Sequence, residues 1–165
     1  MISYHEGDLL KSNCDVICHQ VNLQGVMGGG LALQIARKFP QVEHEYKHRI
    51  YCVNKMPLLM ESLKGTFQCC NVGCSYILNC FTQDENFNTN YDWLKLCFTR
   101  IKEWAFAHRI PSEFYTRTTT IGVPFNYGCG IANGDWDKVL SIFKEIFEDV
   151  NWIDFQIWKF KEKTK

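Results

Sequence analysis

The 165-residue sequence predicts an α/β domain with helices on both faces of a central sheet. Three observations predict it. Short apolar runs of strand length alternate with segments whose apolar residues recur at helical spacing. Two glycine-rich loops each follow a strand-like run and lead into a helical one. The length suits one domain, since a domain takes roughly 100–200 residues.

Each element has its own signal in the sequence. Residues 2–6 read as a short strand, and residues 15–21 as a mostly apolar one. The loop from Asn22 to Gly30 carries four glycines. Leu31, Ile35 and Phe39 then repeat at i, i+4 and i+8, a helix face that Pro40 ends. Val42, Tyr46 and Ile50 predict a second, short helix. Residues 66–72 and 76–81 are strand-like and parted by Gly73, and polar residues 84–90 form a loop. Leu94, Cys97, Phe98, Ile101 and Ala105 mark a long amphipathic helix, with Thr89-Asn90 as its cap. Residues 118–123 are rich in β-branched side chains and read as a buried strand. Gly128 to Gly134 is the second glycine loop. Trp136, Val139, Leu140, Phe143, Ile146, Phe147 and Val150 outline the clearest helix, with Asp135 as its N-cap and Trp136 in the core. Ile153, Phe155 and Ile157 alternate as a last strand. Residues 161–165 read as a basic tail after a domain over 1–160.

Composition narrows the function classes. Hydrophobic residues make up 46% and aromatics 15%, which excludes a disordered or coiled-coil chain. Lys plus Arg and Asp plus Glu are 18 each, so the formal net charge is zero. Such a chain has no global attraction to nucleic acid or an anionic membrane, though one local site can hold an anion. The N-terminus lacks the basic start and apolar run of an export signal, and no run approaches the ~20 apolar residues of a membrane span. A cytoplasmic location follows as the expectation, with the nine cysteines as free thiols. Their spacings contain no Cys-x2-Cys hook, so no metal site is expected, and most read as small core residues.

The glycine loops carry the chemistry. Glycine lets main-chain N–H groups approach a phosphate closely, and a helix N-terminus adds partial positive charge. Gly25-Val-Met-Gly28-Gly29-Gly30-Leu31-Ala32 before a helix fits a phosphate cradle. It lacks the Gly-Lys-Ser/Thr of a P-loop and is a poor G-x-G-x-x-G match. One such loop is structural about as often as functional, but two in one small chain point to a ligand carrying phosphates.

Gly7-Asp8-Leu9-Leu10, then Asp15-Val-Ile-Cys-His-Gln-Val-Asn22, then Gly28-Gly-Gly-Leu-Ala32 resemble the ADP-ribose-binding macrodomain family. Pro124-Phe-Asn-Tyr-Gly-Cys-Gly-Ile131 resembles its second phosphate loop. The resemblance spans nearly the whole chain, residues 2–158, and is strongest to a microbial or phage branch. That branch is similar to the terminal ADP-ribose glycohydrolases and the phosphatases of ADP-ribose 1″-phosphate. The resemblance implies a three-layer α/β/α macrodomain-like fold with a central mixed six-stranded sheet. It implies that Asp8, with Leu9 beside it, accepts a hydrogen bond from the adenine amino group. It implies that Asn22 holds the distal ribose. Gly28, Gly29, Gly30 and Leu31 would wrap that ribose and its phosphate. Gly128, Cys129, Gly130, Ile131 and Ala132 would bind the diphosphate from the other side. Gln20, Met27 and Asn133 complete the implied ligand-binding set.

Departures from the family bear on mechanism. One glycohydrolase branch uses a lysine after the fourth strand, where this sequence has Gln83, and an acidic residue where it has Ala132. Glutamine cannot form the adduct a lysine could, so that covalent route is not expected. Many macrodomains also stack an aromatic from the second loop on the distal ribose, where Ala132 or Asn133 stands here. The expected activity is hydrolysis at the distal ribose of an ADP-ribose derivative, with His19 or Asp135 as general base and Asn22 orienting the substrate. No cofactor is expected. The partners are ADP-ribose or a derivative, or an ADP-ribosylated macromolecule, met by a monomer. The alternative is a reader that binds ADP-ribose without turnover. Each residue also has a plainer role open to it: Asp8 and Asn22 as turn stabilisers, His19 as a satisfied structural group, Asp135 as a cap.

Overall fold

The computed structural model describes residues 1–108 and 118–161. The elements follow the predicted alternation: β1 (Ile2–Glu6), a 3-10 turn (Leu9–Lys11), β2 (Val16–Val21), α1 (Gly30–Lys38), α2 (Pro40–Val53), α3 (Pro57–Leu63), β3 (Phe67–Asn71), β4 (Tyr76–Phe81), α4 (Tyr91–Ala107), β5 (Thr119–Pro124), α5 (Trp136–Phe147) and β6 (Ile153–Lys159). The sheet order is β1-β6-β5-β2-β4-β3, parallel except for β3, which runs antiparallel to β4.

Period-2 alternation sends side chains to two cores. On one face Val16 and Cys18 of β2 meet α4 and α5 through Phe98, Phe143 and Phe147. On the other face Ile17 and Val21 meet α1, α2 and α3 through Ile35, Tyr46 and Leu63. Phe98 and Phe143 pack edge to face with centroids 4.7 Å apart, a favoured aromatic geometry. Five cysteines are buried, and all nine are free thiols. Burial keeps Cys18 and Cys97 protonated by pushing their thiols up.

Three local features differ from the sequence expectation. α2 is a full fourteen-residue helix, because Pro40 opens it at a position where a missing N–H is harmless. α3 is an additional helix. Only Leu63 of it is buried, with Leu58 86% exposed, so no apolar stripe announces it. The 3-10 turn is set by Asp8, whose Oδ1 accepts the N–H of Leu10 at 3.0 Å. Asn90 caps α4 by accepting the N–H of Trp93, as predicted. Trp136 is half-buried and packs on Phe125 beside the core. The basic tail expected at 161–165 lies outside the described residues beyond Lys161. No helix among the described residues is long and apolar enough to cross a membrane.

Candidate ligand-binding site

A crevice opens where the sheet changes direction. The chain leaves β2 toward β3 and β4, and leaves β5 toward β6, so the two adjacent strands form a topological switch point. Asp15 ties their starts together: its Oδ2 accepts from both the N–H and the Oγ1 of Thr120, at 2.9 and 2.8 Å. Pairing is confined to Val16 with Ile121 and Ile17 with Gly122. Beyond that, β2 stays paired with β4 up to Phe81 while β5 stays with β6 up to Trp158. The carboxyl ends therefore part, and a cavity of about 560 Å³ lies between the loops that follow.

The first glycine loop forms one wall through Gly28, Gly29, Gly30, Leu31 and Ala32. Gly29 is the N-cap of α1 and offers no side-chain cap. The first i→i−4 bond of the helix is Leu33 N–H to Gly29 O at 3.1 Å, so the N–H groups of Gly30, Leu31 and Ala32 have no partner inside the helix. A Cβ on Gly29 would stand 2.6 Å from Ile131 Cδ1 of the opposite loop, so the two loops touch here. Asn22 holds this loop in shape. Its Oδ1 accepts the N–H groups of Gln24 and Val26 at 3.0 and 3.2 Å, and its Nδ2 donates to Val26 O at 2.7 Å. Tyr46 Oη donates to Asn22 Oδ1 at 2.7 Å, and burial pushes that hydroxyl up, so it stays a donor.

The second glycine loop closes the other side through Gly128, Gly130, Ile131 and Ala132. Gly128 has φ 68°, and a Cβ there would stand 2.6 Å from Thr89 Oγ1, so both backbone and space call for glycine. Thr89 Oγ1 donates to Gly128 O at 2.6 Å, and Thr89 N–H donates to Ala132 O at 2.8 Å. Gln20 Nε2 donates to Thr82 Oγ1 and Thr89 Oγ1, both at 3.1 Å, and Gln83 Nε2 donates to Gln20 Oε1 at 3.1 Å. This carboxamide and hydroxyl network joins the β2 and β4 ends to the loop.

His19 is 1% exposed and contributes to the cavity lining. Asn79 directs its Nδ2 to Gln68 Oε1, which leaves Oδ1 facing the imidazole. His19 Nε2–H therefore donates to Asn79 Oδ1 at 2.5 Å, and Nδ1 is an unprotonated, buried nitrogen without a partner. Burial pushes the pKa of His19 down, so the neutral ring is the resting form. Among the described residues the lining holds no Lys, Arg, Asp or Glu.

Of the predicted set, the cavity gathers His19, Gln20, Asn22, Gly28, Gly29, Gly30, Leu31, Gly128, Gly130, Ile131 and Ala132. Asp8, Leu9, Met27, Cys129, Asn133 and Asp135 lie outside its lining. Leu9 and Met27 are buried in the α1–α3 core. Cys129 packs against the α4–α5 core, and Asn133 Nδ2 donates to Asn88 Oδ1 at 3.2 Å. Asp135 is exposed and caps α5, its Oδ1 accepting the N–H of Asp137 at 3.0 Å. The cavity is also lined by Val26, Gln83, Phe87, Pro124, Phe125, Asn126 and Tyr127, none of which belongs to the predicted set of site residues. Phe87 carried a signal, as the single aromatic in the polar run 84–90. Among the described residues no group of three or more His, Cys, Asp or Glu is placed to hold a metal ion.

Fold and crevice together define an α/β domain with a glycine-loop cavity, a candidate ligand site, at a topological switch point. The fold is the macrodomain fold. Over 96% of its length the chain superposes on 97% of the macrodomain of Mycobacterium tuberculosis DarG, with a TM-score of 0.75 and 22% identity. Thermosipho africanus DarTG in complex with ADP-ribose matches 99% of this chain with 43% of its own, at a TM-score of 0.75 and 21% identity. Among curated relatives, the ADP-ribose 1″-phosphate phosphatase of Lodderomyces elongisporus is 25% identical over 95% of this chain and 97% of its own. The DNA ADP-ribosyl glycohydrolase of Mycobacterium tuberculosis is 43% identical over 47 residues. That match takes in 28% of this chain and only 13% of the length of the relative. No family model matches the chain.

Proposed function

We propose that the chain binds ADP-ribose or a derivative in this cavity and hydrolyses a bond at the distal ribose. The bond is either the phosphoester of ADP-ribose 1″-phosphate or an ADP-ribosyl linkage to a macromolecule. The observation that carries the reading is the meeting of two glycine loops and the α1 N-terminus over one cavity, with no basic side chain in its lining among the described residues. A diphosphate can be held there by main-chain N–H groups and the helix dipole alone. The ADP-ribose-bound neighbour and the two curated relatives support the ligand and the hydrolytic chemistry.

In this reading Asp8 and Leu9 take the adenine, Asn22 the distal ribose, and residues 28–31 and 128–132 the diphosphate. Gln20, Met27 and Asn133 support these groups from behind. His19 is the stronger candidate base, because Nδ1 is free to accept a proton while the Asp135 carboxylate caps α5. One water adds across the scissile bond: its oxygen bonds to the atom attacked, its proton passes by way of Nδ1 to the departing group, and the loop N–H groups stabilise developing charge. The same reading takes residues 1–160 as one domain, acting as a cytoplasmic monomer.

A second reading, a binding module without turnover, is favoured by the absence of any carboxylate from the lining among the described residues and by the engagement of Asn22 with its own loop. Calorimetric titration with ADP-ribose tests the ligand. Incubation with ADP-ribose 1″-phosphate, and with an ADP-ribosylated oligonucleotide, then tests turnover. The hydrolase reading expects product release that falls about 10²–10⁴-fold in His19→Ala. Binding with no release from either substrate selects the second reading, and no binding overturns both.

A further inference from the structure

We propose that Phe87 lays its ring on the distal ribose of the bound ligand and sets the specificity of that end of the cavity. The proposal rests on the ADP-ribose reading above.

Position comes first. Asp8 follows β1 at one edge of the sheet, and Phe87 follows β4 on the other side of the crevice. The two glycine loops, which follow β5 and β2, lie between them. A ligand with its adenine at Asp8 and its diphosphate between the loops brings its distal ribose toward Phe87.

Folding does not account for this residue. Phe87 lines the cavity at 40% exposure and packs into neither core. Its φ of 63° lies in the left-handed region, which a bulky side chain rarely adopts. The surroundings impose that conformation. Asp84 Oδ1 accepts the N–H groups of Asn86 and Asn88, both at 2.9 Å, and Phe87 N–H donates to Asp84 O at 3.0 Å. Each glycine loop then braces the turn: Gln24 Nε2 donates to Glu85 O at 3.3 Å, and Asn133 Nδ2 to Asn88 Oδ1 at 3.2 Å. Strain held by so many bonds at a cavity wall is the pattern of a residue presented to a ligand.

Chemistry completes the case. At this end the cavity offers the carboxamides of Gln20 and Gln83, which suit hydroxyls. From the second loop, Phe125 and Tyr127 pack on the α4–α5 core and Ile131 stands against Gly29, which leaves Ala132, 3% exposed and too small to cover a sugar. The C–H face of a ribose needs an apolar partner, and the Phe87 ring is the aromatic group that the β4–α4 connection presents there.

Calorimetric titration of wild type, Phe87→Ala, Phe87→Tyr and Phe87→Gly with ADP-ribose and with ADP, which lacks the distal ribose, tests the proposal. Phe87→Ala should weaken ADP-ribose at least tenfold and shift ADP less than twofold, and Phe87→Tyr should bind as wild type does. Phe87→Gly should melt at or above the wild-type temperature, because glycine adopts this φ freely. Unchanged ADP-ribose affinity in Phe87→Ala, or an equal loss for both ligands, overturns the role of Phe87 alone. A wild type that binds neither ligand overturns the ADP-ribose reading and this role with it.

Discussion

His19 shows how one buried side chain couples stability to pH. Its imidazole sits between β2 and β4, donates through Nε2 to Asn79 and keeps Nδ1 bare. Burial pushes its folded pKa below the ordinary histidine value of about 6.5. Protons therefore bind the unfolded chain more readily than the folded one. The stabilisation is fully present above about pH 6.5 and is lost as the pH falls from there toward the lower folded value. Melting temperatures between pH 5 and 8 should drop on the acid side in the wild type. His19→Gln should flatten that slope, whatever it does to the absolute stability. Asn22 illustrates the same economy: three N–H or O–H groups converge on its Oδ1. The turn-forming role open to Asn22 in the sequence is the one its geometry displays, with one Nδ2 hydrogen left over.

At the scale of elements, the informative unit is strand, glycine loop and helix start. β2 delivers the chain to a loop shaped by Asn22, and α1 starts at a residue with no side chain. The wall is thus made of main-chain groups. A long acidic side chain at Gly29 should fill the space next to Ile131 and place a carboxylate among the N–H groups proposed to hold phosphate. Gly29 has φ −153°, extended backbone open to any residue, and Ile131 is 74% exposed and can swing away. Gly29→Glu should therefore keep its melting temperature within a few degrees and lose ADP-ribose binding in calorimetry. Wild-type affinity in that variant would move the phosphates elsewhere. The two glycine loops were legible in the sequence because each is a local cluster between a strand-like run and a helical one, and two of them fall in one small chain. α3 was not, since Leu58 and Leu59 are exposed and Leu63 alone is buried, which leaves no apolar stripe to read.

The whole molecule is organised so that a rigid sheet with two cores holds three loops over one opening. The α4–α5 core centres on Phe98, Phe143, Phe147 and Phe155, with Phe147 and Phe155 stacked at 4.2 Å. Phe143 is fully buried and touches rings from α4, β6 and the second glycine loop. Phe143→Ala should lower stability by about 3–5 kcal/mol, the range for a large aromatic removed from a packed core. Chemical denaturation measures it directly. Tyr127 of the second loop packs on Phe143 at 5.8 Å, so this core reaches the cavity wall.

Sequence alone determined the alternation of strands and helices, the two glycine loops and the α/β class, because each follows from local periodicity and local backbone freedom. The residues of the glycine loops that line the cavity were named on the same grounds, helped by the resemblance of their motifs to macrodomains. Only the tertiary structure decided that β2 and β5 are neighbours that part after two residue pairs, and hence that a cavity exists between them. It alone placed Asp135, whose capping role the sequence already predicted, outside the lining, left His19 Nδ1 without a partner, and brought Phe87 from a polar loop to the rim. The reason is physical. Periodicity reports which face of an element is buried, whereas the order of strands in the sheet depends on contacts between residues far apart in the chain.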